Sequence, residues 1–417
     1  MRDKPIEGRF RSVAVTENNP RWNDCVQRNL SLYGRHGDIR SDFARDYNRI
    51  LHSTAYRRLK HKTQVFFATK NDHVCTRIEH VGHVMAVSYT ITNHLGLNTE
   101  LATTIALGHD LGHAPFGHQG ESVISGIAQN ELGERFWHEK NSLWFVDNLE
   151  TLEDPQRKHR NLNLTYAVRD GIICHCGEVS ETSIKPRVDP IDLNGIQQAS
   201  EYSPFTWEGC VVKIADKISF LGRDIEDALT LKLLRASDLK ALKEIVGRAG
   251  ISVAKGSSVR DVNNTILMHD FIVDLCESSN PEDGLRFSEQ HLNLMNLLRR
   301  FSAEYIYMNP RLSYFKSYAR LVIETIFNYL KGIYKQRDTW KKLSYETKYC
   351  PVLTSTFEDW LLKYSDIDLP ARERRNYKNR VVYDISDAKS YAKAVLDFIS
   401  GMTDSFAIRM FEELIGF

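Results

Sequence analysis

The sequence has no uninterrupted apolar run long enough to cross a bilayer, and its start, MRDKPIEGRF, lacks the apolar core of a signal peptide. A cytoplasmic protein with no membrane partner is therefore expected. Net charge is almost absent: 55 Lys+Arg stand against 54 Asp+Glu, leaving +1. No global field recruits nucleic acid or an anionic lipid surface. Cysteine is sparse, with seven residues, an odd number spread widely, which fits reduced thiols rather than a disulfide framework. Cys174 and Cys176 flank His175, but no second Cys/His pair at finger-like spacing joins them, so no structural zinc site is expected there. Repeats, low-complexity tracts and sustained strand alternation are also missing. An all-α protein is the expectation, with 417 residues long enough to bury a large core.

What is present is concentrated in HDLGHAPFGHQGE, His109 to Glu121, where three histidines, one aspartate and one glutamate sit among small and apolar residues. Such a mixture suits a lined cavity better than a solvated face. Before it, Leu101, Ala102, Ile105 and Ala106 recur at helical spacing behind a cap at Asn98 or Thr99, and His109 continues the buried face four residues after Ile105. Imidazole nitrogen beside carboxylate oxygen suits a divalent ion: Mn, Mg, Fe, Co or Zn. Two adjacent residues cannot surround an ion, so further ligands must come from elsewhere. An earlier predicted helix has Val81, Val84, Ser88, Ile91 and Leu95 as its inward stripe, with His80 beside it and Arg77 one turn before. In VVKIADKISFLGRDIEDALT, Asp216 interrupts an apolar run. A carboxylate there needs a partner, either a metal or an arginine.

Residues 1–40 read as an N-terminal arm anchored by Phe10 and Trp22, 41–330 as the main helical core, opening with a Ser41/Asp42 cap, and 331–417 as a C-terminal helical region packed on it. Segments 161–185 and 205–235 are predicted helices. Residues 236–330 are further helices broken by turns at SSN-P and MNP. Arg57, Arg58, Lys60 and Lys62 cluster around Gln64, either as a solvated face or as cations for a polyphosphate, and the turn ATKNDH follows. Gln64 is placed to orient a sugar hydroxyl.

The pattern His80 … His109-Asp110 … Asp216 resembles the H…HD…D signature of HD-domain phosphohydrolases. KTQVF (62–66), RIEH (77–80), HDLGHAPFGHQGE, WHEKNS (137–142), ADKISFLGRDIEDA (215–228) and SGMTD (400–404) together resemble the deoxyguanosine triphosphate triphosphohydrolase family, which includes the SAM-and-HD-domain dNTPases. These motifs cover residues 40 to about 410. The resemblance implies cleavage of a dNTP between deoxyribose and α-phosphate, releasing a deoxynucleoside and tripolyphosphate. It implies metal ligation by His80, His109, Asp110 and Asp216, an acid–histidine pair of Glu121 and His138, and His118 facing the scissile phosphate. His113, Arg77 and Lys217 fall at phosphate-contacting positions; Gln64 and Asp224 fall where the sugar 3′-hydroxyl is recognised. Phe220 stands where relatives often carry tyrosine, keeping the stack under the sugar but losing a hydroxyl, and Tyr307 is the candidate second stacking aromatic. A homo-oligomer, with a dNTP or single-stranded nucleic acid as effector, is implied as well. The alternatives are another HD-type phosphohydrolase or phosphodiesterase, which shares the ligands but has no need of Glu121 with His138, and a nucleotide-sensing binding protein.

Overall fold

The computed structural model describes residues 8–31, 37–66, 73–176, 182–248 and 264–416. Most of the expected turn ATKNDH, and Phe67 before it, lie outside the described residues. The architecture is helical, with two short strands, β1 (Thr151–Glu153) and β2 (His159–Asn161), paired antiparallel with Leu152 opposite Arg160. Three-residue strands are too short to show alternation, which is why the sequence did not announce them. No helix among the described residues is long and apolar enough to cross a membrane.

Helices α1 (Asp42–Leu51), α2 (Arg77–Leu95) and α3 (Thr99–Gly108) start where the capping residues place them. The Ser41 side chain accepts from Ala44 N, Thr76 and Glu79 form a capping box, and Asn98 accepts from Leu101 N. Each cap satisfies amides that the first helical turn leaves without partners. The stripe Val81, Val84, Ser88, Ile91 and Leu95 is buried, packing α2 against α3 and against α7 (Trp207–Thr230). Between these come α4 (Gly117–Leu132), α5 (His138–Trp144) and α6 (Tyr166–Cys174), the last lying on both α3 and α7. Among the described residues of 161–185 the expected helix is α6, and Ile184 instead pairs in extended form with Leu285.

The remaining long helices include α8 (Asn264–Ser278), α9 (Glu289–Phe301), α10 (Pro310–Gly332), α11 (Pro351–Tyr364), α12 (Ala388–Ser400) and α13 (Asp404–Ile415). The helices around α2, α3 and α7 form one layer. A second is built by α4 against α10 and α12, with α13 on α10. The loop from His109 to Phe116 leaves the first layer and enters the second through α4. Phe10 is fully buried edge-on to Trp207, and Trp22 meets Phe43 edge-on, so both anchors expected for the leading segment rest on the first layer.

Candidate functional site

The His109–Phe116 loop lies against α5 because Gly112 has no side chain. A Cβ there would stand 2.1 Å from Ser142 N and 2.7 Å from the His138 carbonyl oxygen. Helix α5 then grips the loop. Ser142 Oγ accepts from Gly112 N and donates to the His109 carbonyl, each at 2.9 Å, and Asn141 Nδ2 donates to the Gly112 carbonyl at 2.7 Å. This contact brings His138, the first residue of α5, to the loop's histidines.

Three separate elements converge on one point. His80 from α2 and His109 and Asp110 after α3 have ligand-type atoms all within 4.8 Å of one another, and Asp216 from α7 joins them through the two histidines: His80 Nε2 is 2.9 Å from Asp216 Oδ1, 3.4 Å from His109 Nε2 and 3.9 Å from Asp110 Oδ2, and His109 Nε2 is 3.9 Å from Asp216 Oδ1. Ligands about 2.0–2.2 Å from a shared ion stand at such separations from one another. His109 Nδ1 donates to the Ala106 carbonyl at 2.7 Å, which fixes the tautomer and turns the Nε2 lone pair toward the cluster. Burial lowers the His109 pKa to about 4, so the ring is neutral, as ligation requires. Burial opposes charge on His80 most strongly, but its hydrogen bond to Asp216 and the charges of Asp216 and Asp110 together outweigh it and raise the pKa. The 2.9 Å contact between His80 Nε2 and Asp216 Oδ1 is where a cation would bridge the same two groups. The donor set therefore fits a divalent ion. The sequence left metal or arginine open as the partner of Asp216. Among the described residues its ion-pair partners are His80 and His109.

Around this set, Arg77 lines the cavity and is anchored to the protein. Its Nη1 reaches Asp110 Oδ2 and His113 Nε2, both at 2.9 Å, while Nε and Nη2 donate to the Thr63 and Gln64 carbonyls. His113 Nε2 lies 3.0 Å from Asp110 Oδ1. Burial would raise the Asp110 pKa, yet His109, His113 and Arg77 hold its carboxyl well below the ordinary range. Lys62, one of the basic cluster, neither faces solvent nor lines this cavity. It is buried, donating to the His113 and Ser400 carbonyls, whereas Arg58 pairs with Glu150 at 3.0 Å. The cluster is not one surface.

His113 and His138 stack at 3.8 Å between ring centroids and 19° between planes, yet their environments drive them apart. Burial, Arg77 and His138 push the His113 pKa well down. For His138, burial acts the same way, but the carboxylates of Glu139 and then Glu121 overcome it and raise the pKa to about 10. Glu121 Oε1 accepts from the His138 backbone N–H at 2.9 Å and lies 3.2 Å from its Nδ1. The contact expected from sequence is present, and it leaves one stacked imidazole neutral and the other cationic. His118 is the outermost of the group, its side chain 60% exposed, with Nδ1 3.4 Å from Glu121.

All this opens into a cavity of about 820 Å³, a size that suits a small-molecule ligand. Its walls include Gln64, Phe220, Asp224 and Tyr307. Among the described residues, the buried acceptors Gln64 Oε1 and Asp224 Oδ1 there find no hydrogen-bond partner, and neither do His113 Nδ1 and Ser302 Oγ on the same wall. Tyr307 Oη donates to the other Asp224 oxygen at 2.5 Å. Burial, only partly offset by that bond, raises the Asp224 pKa to about 6. Lys217 is buried just outside the lining, its pKa lowered to about 8 by burial and by the charges of Lys213 and Arg299. Arg299 and Arg300, at the end of α9, line the wall with Asn296. Sequence reasoning missed these three, since nothing in a helix-forming stretch marks which cation will face a cavity built by another segment. Cys176 also lines the wall, within 4.8 Å of ligand-type atoms on His138 and Glu139, and His175 packs edge-on against His109.

Residues 77–221 match the family described as HD domain, and residues 357–413 match the one described as phosphohydrolase-associated domain. A protein of Caldanaerobacter subterraneus subsp. tengcongensis named deoxyguanosinetriphosphate triphosphohydrolase-like protein is 30% identical over 379 residues, 90% of this chain and 86% of its own. Similarly named proteins of Clostridium tetani and Rickettsia canadensis are 34% identical over 308 residues (73% and 78% of the two chains) and 30% identical over 388 residues (90% and 93%).

Proposed function

The chain belongs to the HD-domain family of deoxyguanosinetriphosphate triphosphohydrolase-like proteins and is an HD-type phosphohydrolase, and from that premise we propose that it cleaves dGTP or several dNTPs to deoxynucleoside and tripolyphosphate. The observation that carries the reading is the pair of orphaned acceptors, Gln64 Oε1 and Asp224 Oδ1, in the same cavity as the ligand set. Buried acceptors without partners are costly, and a hydroxyl donor from the ligand relieves them. A sugar ring carrying that hydroxyl rests between Phe220 and Tyr307. The cations Arg299 and Arg300, backed by Lys217, supply more positive charge than a single phosphate needs and suit a triphosphate.

His80, His109, Asp110 and Asp216 would hold the divalent ion, whose chemistry there is to polarise a phosphate oxygen and acidify a water. The chain's own groups do the rest. His138, charged at neutral pH, holds a proton for the departing deoxyribose 5′-oxygen, and Glu121 keeps its ring oriented. His118, at the cavity, faces the α-phosphate. Arg77 and His113 act through Asp110, fixing the carboxylate's direction. Arg77→Lys is expected to leave the fold intact while lowering kcat/KM by about 10–100-fold, the usual effect of losing an outer-sphere partner. A lysine ammonium cannot reach Asp110, His113 and two carbonyls at once. Steady-state kinetics beside circular dichroism reads both, and wild-type turnover would remove Arg77 from the site's function.

The proposal is tested by incubating the full chain with each dNTP and Mn²⁺ or Mg²⁺, then separating products by anion exchange. Deoxynucleoside with tripolyphosphate is the expected result. Release of orthophosphate, pyrophosphate or a nucleoside monophosphate, or no turnover of any dNTP singly or in mixtures, overturns it.

A further inference from the structure

The SGMTD run takes no part in the chemistry above, yet it reaches the site from the far end of the chain. Asp404, the first residue of α13, is 7% exposed, and its carboxylate does not serve its own helix. Thr403 does that, its Oγ1 accepting from Phe406 N at 3.2 Å. Instead, Asp404 Oδ2 accepts from Thr63 N at 3.0 Å and Oδ1 from Phe116 N at 2.9 Å. Thr63 and Gln64 are the residues whose carbonyls hold the Arg77 guanidinium against Asp110. Phe116 ends the loop that carries Asp110 and His113, in a left-handed conformation (φ +67°) that a residue with a side chain rarely adopts. Ser400 adds two more ties, its carbonyl accepting from Lys62 Nζ at 3.0 Å and its hydroxyl from Asn141 Nδ2 at 3.3 Å.

We infer that Asp404 is a positioning residue for the phosphohydrolase site. By holding the Thr63 and Phe116 amides with one carboxylate, it locks the segment that aims Arg77 to the loop that presents Asp110. Two acceptors on one rigid group set the spacing of two backbone segments more than 50 residues apart, which no contact within either segment can do. The phosphohydrolase-associated region, residues 357–413, thereby completes the HD-domain site. This inference rests on the ligand set proposed above.

Asparagine at this position keeps one acceptor and turns an amide NH₂ toward the second backbone N–H. The test is Mn²⁺ affinity of the full chain, read by electron paramagnetic resonance of the free ion, alongside thermal unfolding. Asp404→Asn is expected to bind Mn²⁺ about tenfold more weakly while remaining folded. Thr403→Ala, which removes the cap of the same helix, should lower Tm and bind Mn²⁺ as the wild type does. Wild-type affinity in Asp404→Asn, or an equal loss in Thr403→Ala, overturns the clamp alone. Failure of the wild-type chain to bind Mn²⁺ overturns the ligand set and the clamp's purpose with it. Should Asp404→Asn not fold, hydrogen exchange on the wild type decides: Mn²⁺ should slow exchange at Thr63 and Phe116 more than at Phe406, and equal rates with and without the ion overturn the inference.

Discussion

Asp110→Asn is expected to cost the protein its turnover and its metal affinity together. The carboxylate is 2% exposed and shared by every neighbour. Oδ2 receives Arg77 Nη1 at 2.9 Å, while Oδ1 lies 3.0 Å from His113 Nε2 and 3.5 Å from His109 Nε2. Asparagine preserves the outline but removes the charge and points an NH₂ group at a guanidinium, an imidazole or the bound ion. Arg77, itself 2% exposed, is left without its anion. Breaking one side of a buried charge pair costs about 3–5 kcal/mol, and the same loss at the transition state corresponds to roughly 10²–10⁴-fold in rate. Loss of a metal ligand adds to this, so the upper end is the expected value. Steady-state kinetics, Mn²⁺ titration and urea unfolding measured on one preparation separate the effects. Activity within tenfold of the wild type would mean that Asp110 is structural.

His138→Asn is expected to lower kcat by about 10²–10⁴-fold, the range for a lost general acid, with metal affinity unchanged because His138 lies outside the ligand set. The pH dependence makes the prediction sharper. Glu139 and Glu121 raise the His138 pKa to about 10, helped by Asp110 and opposed by burial; His113, His118 and His175 are the neighbouring rings. An acid must be protonated to act, so activity should persist through neutral pH and fall as pH rises through about 10. Glu121→Gln removes one of the three carboxylates that favour the cation. The pKa must then fall, and the alkaline limb should move toward neutrality by about one to three units. A pH–rate profile of kcat/KM for both proteins checks the sign. An unmoved limb in Glu121→Gln, or near-normal turnover in His138→Asn, would leave His118 as the remaining candidate for the proton donor.

Both predictions concern residues that the sequence had already singled out, and the reason is local. His109 and Asp110 are adjacent, His80 sits beside a buried stripe, and Glu121 and His138 fall in runs with motif character. Periodicity tells which face of a helix turns inward, and caps at Ser41 and Asn98 place the starts within a residue. Where these signals were weaker the reading overreached: among the described residues of 161–185 only Tyr166–Cys174 is helical, and Lys62, expected on a solvated face or at a polyphosphate, is in the interior.

The sequence by itself determined the helical class, the inward faces of α2, α3 and α7, and a set of imidazoles and carboxylates suited to a divalent ion. Those properties depend on residue type and spacing along one segment. Only the tertiary structure decided how the site is finished: that Arg77 is spent on Asp110 and two carbonyls, that Arg299 and Arg300 line the cavity, and that Asp404 reaches Thr63 across 341 positions. A period of 3.6 residues states that a side chain faces inward, but not which distant segment it will meet. That choice is made by packing the layers against one another, where a glycine such as Gly112 lets two backbones touch and a single carboxylate can tie the ends of the chain together.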